Sequence, residues 1–133
     1  MIEIPPMLIQ TGGSLLAIFA LFLLARWLKL GGKPVLADHA AVQHAANEVE
    51  DGFATQRSAI ARAGDAALAV DAAGRIMVIK RHGNHFSGRV LTPAAKVREE
   101  VDAIVVDCGE ARFGPVRMSL DETGYWVDAI NRL

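Results

Sequence analysis

Cysteine is nearly absent from this chain. Cys108 stands alone, so no disulfide can form within the molecule, which suits a reducing compartment. A charge excess is also missing: 14 basic and 15 acidic residues give a formal net charge of −1. That balance excludes the overall basicity of a typical nucleic-acid binder, and no nucleic-acid partner is expected. There is no second cysteine for a zinc-ribbon pair, no HExxH helix and no glycine-rich phosphate loop ("GGS" at 12–14 lies inside an apolar run). Ser58, Ser87 and Ser119 sit in no elbow or triad pattern. Together these gaps point away from an enzyme, a cofactor or a metal.

A further absence has structural meaning. The nineteen positions from Met7 to Ala25, "MLIQTGGSLLAIFALFLLA", contain no charge. As a helix they rise roughly 28 Å, close to the thickness of a bilayer's hydrocarbon core, and predict a single transmembrane anchor with the lipid bilayer as partner. Trp27 follows as an interfacial ring, with Arg26, Lys29 and Lys33 as a basic flank, and only Glu3 is charged before the run. This asymmetry places the N-terminus outside a bacterial inner membrane and the bulk of the chain in the cytoplasm. A cleaved signal peptide would carry its positive charge before the apolar run, the reverse of what is seen. Gly13 and Ala17, four apart, form a small-residue face suited to packing against a second helix, from a membrane-protein partner or another copy.

"LGGKP" at 30–34 breaks the helix. Asp38 then caps an alanine-rich helix over about 37–50, with Val42, Ala46, Val49 and Phe53 on one stripe. The same spacing can be continued through Gln56, Ile60 and Ala63, but Gly52 favours a break and a short strand near 55–61. From there the period becomes two. Residues 66–70, 75–80, 85–91, 101–107 and 114–120 read as strands, joined by turns too short for parallel crossovers. At the C-terminus Asp121 caps a helix with Trp126, Ile130 and Leu133 on one face.

The expected fold class is α+β: an N-terminal transmembrane helix, a linker helix, then a small antiparallel sheet or roll closed by a C-terminal helix. Residues 1–33 form the anchor and basic flank, 34–52 the linker helix and 53–133 the β-domain. The order of strands and final helix resembles the pleckstrin-homology-like architecture. "EDGF", "DAAGRIMVIKRHGNHFSGRVL" and "CGEARFGPVRMSL" also resemble small uncharacterised membrane-anchored proteins of proteobacteria. These are turn-and-strand patterns over about residues 48–120, and the resemblance implies no function.

"KRHGNHFSGRV", 80–90, is the most distinctive stretch. A two-residue Gly83-Asn84 turn sets His82 against His85, Lys80 against Ser87 and Val78 against Arg89. Met77, Ile79 and Val90 then form the face that meets the core, and the histidines belong to the wetter face. Two histidines fall short of a zinc site, although Cys108, Asp107 and Glu110 are candidate additions, and His39 and His44 are five apart on their helix. From Ala72 to Arg98 there are six basic residues and no acid. Lys80, Arg81, His82, His85 and Arg89 therefore form a candidate contact hairpin for anionic lipid or an acidic protein. The expected function is a non-catalytic, membrane-anchored interaction module, an accessory subunit or scaffold of a membrane complex. The alternative is a small-molecule or lipid-binding domain, or a minor enzyme, with its pocket between the sheet and the C-terminal helix.

Overall fold

The computed structural model describes residues 6–27, with side chains for 10–24, and residues 34–133. The chain divides into two units, Met1–Lys33 and Pro34–Leu133.

The first unit holds helix α1, Pro6–Trp27. Among the described residues no helix is long and apolar enough to cross a membrane, which overturns the expected transmembrane anchor and single-pass arrangement. The reason lies in the difference between uncharged and apolar. Gln10, Thr11, Gly12, Gly13 and Ser14 interrupt the run, and the Ser14 hydroxyl donates back to the Gln10 carbonyl at 3.1 Å. The unbroken apolar part is Leu15 to Ala25, eleven residues. Such a length rises only about 16 Å, roughly half a bilayer core. The orientation inferred from the basic flank presupposed that span.

The second unit begins with α2, His39–Val49. Asp38 is extended, and its Oδ1 accepts from the Ala41 N–H at 2.9 Å, the cap that the sequence predicts. Seven strands follow: β1 Arg57–Ile60, β2 Ala66–Val70, β3 Ile76–His82, β4 His85–Val90, β5 Lys96–Glu100, β6 Ala103–Asp107 and β7 Pro115–Ser119. Helix α3, Gly124–Asn131, ends the fold. The strands make two antiparallel meanders, β1-β2-β3-β4 and β5-β6-β7, where a single sheet was expected.

The four-stranded sheet is covered on both faces. On one side Ala67, Ala69, Met77 and Ile79 pack with Val42, Ala45 and Ala46 of α2, and with Leu36 and Phe53. On the other, Leu68, Val70, Ile76 and Val78 meet Ile104, Val106 and Met118 of the second sheet, with Trp126 and Ile130 of α3. Every residue of β2 is buried. An uninterrupted apolar strand is the signature of a sheet buried on both sides, and "AALAV" and "IMVI" carry it. The expected single core face is therefore only half of the core, and the expected linker helix is a layer of the fold. The sheets meet where the Arg62 N–H donates to the Ser119 carbonyl at 3.0 Å.

Four local features differ from the sequence reading. β5, "KVREE", is a strand without an apolar alternation, because only Val97 turns toward the core. The strand after Gly52 is shorter than the predicted 55–61. Asp121 does not cap α3: it takes an ion pair from Arg62 at 3.0 Å, and Thr123 stands at the N-cap without a side-chain bond. Leu133, placed on the buried face by the sequence, is 36% exposed.

Candidate functional site

The β3–β4 hairpin pairs in the register that a two-residue turn dictates: His82 opposite His85, Lys80 opposite Ser87, Val78 opposite Arg89. Gly83 has φ +65, the conformation a type II′ turn requires of its first central residue. The two exposed imidazoles meet edge to face with centroids 5.6 Å apart.

The residues of this hairpin face have partners brought from far away in sequence. The β6–β7 loop starts with an Asx turn, in which Asp107 Oδ1 accepts from the Gly109 N–H at 2.9 Å. It closes with a helical-type bond from the Gly114 N–H to the Glu110 carbonyl at 3.0 Å. Between them Phe113 is driven into the core, 5% exposed. Its ring lies 4.4 Å from Lys80 Nζ and 5.0 Å from the Arg89 guanidinium carbon. Both are cation–π distances. Lys80 also donates to the Phe113 carbonyl, and Arg89 Nε donates to Glu110 Oε2 at 2.8 Å. Lys80, His82, Ser87, Arg89, Arg112 and Phe113 together line a cleft of about 150 Å³.

Three of the four other cations of the acid-free run are likewise engaged. Arg81 Nε donates to the Pro34 carbonyl at 2.8 Å. Arg75 pairs with Asp71 at 2.7 Å and with Glu50 at 2.9 Å, and Arg98 pairs with Glu100 at 3.1 Å. Lys96 is exposed, opposite Asp107 in the register. The acids come from outside residues 72–98, so a sequence window could not reveal them. The Asp71 carboxyl is largely buried, which by itself pushes its pKa up. Hydrogen bonds from the Arg75 side chain and backbone, the Arg75 charge and the Ala73 N–H outweigh burial and hold it below the ordinary carboxylate value. Hydrogen bonds from Arg117 and Arg98 lower Glu100 in the same way.

The remaining sequence candidates lie apart. Gly13 and Ala17 are exposed on α1, with open space around Gly13. The side chains of Arg26 and Trp27, and Lys29 and Lys33 altogether, lie outside the described residues. His39 Nδ1 meets the Ser58 hydroxyl at 2.7 Å, tying the first turn of α2 to β1, and His44 pairs with Glu48 at 2.9 Å. Cys108 is buried. Among the described residues no group of three or more His, Cys, Asp or Glu is placed to hold a metal ion. Arg112, Phe113 and Ser87 are the cleft residues not singled out from the sequence. Ser87 follows from the hairpin register, whereas Arg112 has no local signal.

Two other hollows bear on ligand binding. The one between the first sheet and α3 is about 190 Å³, lined by Val70, Gly74, Ile76, Tyr125 and Ala129 among others. The outer face of the second sheet has a shallow hollow of about 460 Å³ over Val105, walled by Lys96, Arg98 and Asp107. No known protein family matches the chain, and no curated protein or solved structure is significantly similar to it.

Proposed function

We propose that the chain is a non-catalytic interaction module, an accessory subunit or scaffold, that joins a protein partner through α1. The observation that supports this reading is the exposure of that helix. Leu15, Leu16, Ile18, Phe19, Leu21, Phe22, Leu23 and Leu24 are between 47% and 69% exposed. At 100° per residue these positions go round the whole helix rather than along one stripe. A helix apolar all round belongs in an interior, and an exposed patch of this extent marks an interaction surface. A single neighbouring helix covers only one side, so the partner that fits is a helical bundle or a deep apolar groove.

The strands of the second unit are arranged four plus three and closed by α3. That arrangement gives the second unit a compact body for a scaffold to present. A pocket between sheet and closing helix has less support, because about 190 Å³ is below the roughly 300–1,000 Å³ of ordinary ligand pockets.

Site-specific photo-crosslinking in cells tests the reading. A crosslinker at Phe19 or Phe22 of the full chain should give a discrete protein adduct, lost when Leu16 and Leu23 are both changed to Glu. If neither position yields a protein adduct, α1 is not the partner surface and the reading falls.

A further inference from the structure

We propose that the cleft between the β3–β4 hairpin and the β6–β7 loop is a binding site for a single phosphate group. This inference is independent of the role given to α1. Three cations, Lys80, Arg89 and Arg112, line the cleft, and one carboxylate, Glu110, lies beside it. With the histidine neutral, a local charge of about +2 remains, in a chain whose formal total is −1.

Geometry divides the work among these groups. Lys80 is committed to the Phe113 carbonyl and lies by that ring, so it supplies field and a fixed wall. Arg89 uses Nε on Glu110 and one terminal nitrogen on the Gly88 carbonyl at 2.8 Å. Its other terminal nitrogen has no hydrogen-bond partner among the described residues. Among the described residues Arg112, the Ser87 hydroxyl and the His82 ring nitrogens have no hydrogen-bond partner. The site thus offers two guanidinium groups, a hydroxyl and an imidazole around one small volume. Guanidinium forks match the oxygens of a phosphate, and a hydroxyl adds a neutral donor.

Size narrows the ligand. A cleft of about 150 Å³ takes a terminal phosphate and leaves no room for an attached base or sugar, which would project into solvent. The same chemistry is presented by free inorganic phosphate and by the phosphomonoester headgroup of phosphatidic acid.

The test uses the full chain with both sources. Inorganic phosphate is titrated by calorimetry, and vesicles of phosphatidylcholine alone, with phosphatidylglycerol or with phosphatidic acid are compared by sedimentation. Arg112→Glu is the site variant, because Arg112 is exposed and its loss removes no internal bond. Lys96→Glu, the same charge change on β5 away from the cleft, is the control. Saturable binding of phosphate, or retention on phosphatidic acid beyond that on phosphatidylglycerol, supports the site. Arg112→Glu should weaken it by roughly tenfold or more, the loss of a charge-assisted contact, with Lys96→Glu near wild type. Phosphate binding alone assigns a free ligand, and phosphatidic acid alone assigns a lipid surface. Binding of neither, or equal loss in both variants, overturns the proposal.

Discussion

Gly88 of β4 lies directly against Val49 of α2. A Cβ at Gly88 would stand 2.9 Å from Val49 Cγ2 and 3.1 Å from the Val78 carbonyl oxygen. The helix approaches the sheet this closely only because that position has no side chain. Gly88→Ala should therefore destabilise the domain by about 1–3 kcal/mol, the ordinary cost of overpacking. Urea denaturation measures it, and Val49→Ala in the same chain should recover part of the loss. Additive losses in the double variant would show that the helix is not what Gly88 accommodates.

Trp126 is 2% exposed and packs where α3 closes the two sheets. Truncation to Ala should cost about 3–5 kcal/mol, as at other core sites for large rings. Thermal melting reads this directly. An unchanged melting temperature would mean that α3 is detached in solution.

Lys80 donates to the Phe113 carbonyl while lying by its ring. Lys80→Met keeps the apolar stem but leaves that carbonyl without its partner, at a cost of about 1–3 kcal/mol. If Lys80 were only a solvated contact cation, the variant's urea midpoint would match wild type. Replacing Lys80, Arg81 and Arg89 together with Ala would remove internal bonds as well as charge.

Asp71 ties the β2–β3 turn together. Its carboxylate accepts from the Ala73 and Arg75 N–H groups at 3.1 and 2.8 Å and pairs with the Arg75 guanidinium. Its folded pKa is depressed. Its contribution is therefore present above the unfolded value of about 3.9 and is lost as pH falls through the lower folded value. Asp71→Asn should be less stable than wild type near neutrality, with the gap narrowing below about pH 4. Glu100 is depressed too, so an acid loss of its own remains in the variant. A gap independent of pH across that range would rule out the carboxylate as the source.

What the sequence by itself determined is local. The cap at Asp38, the β3–β4 register and the turn at Gly83 each depend on residues within a few positions of one another. Side-chain capping and period-two pairing act at that range. The double burial of β2 has a signature in "AALAV", an apolar run without alternation, which the period-two reading passes over. Tertiary structure decided the rest. A strand as charged as "KVREE" forms because β6 pairs with it, whatever its own pattern. The six cations of residues 75–98 read as an unopposed patch because the acids that pair with three of them, Glu50 and Asp71 with Arg75, Glu110 with Arg89 and Glu100 with Arg98, lie outside the run and reach it only through folding. The phosphate-sized cleft needed the same event, since Arg112 and Phe113 meet Lys80 across about thirty residues of chain through packing that no short-range rule encodes.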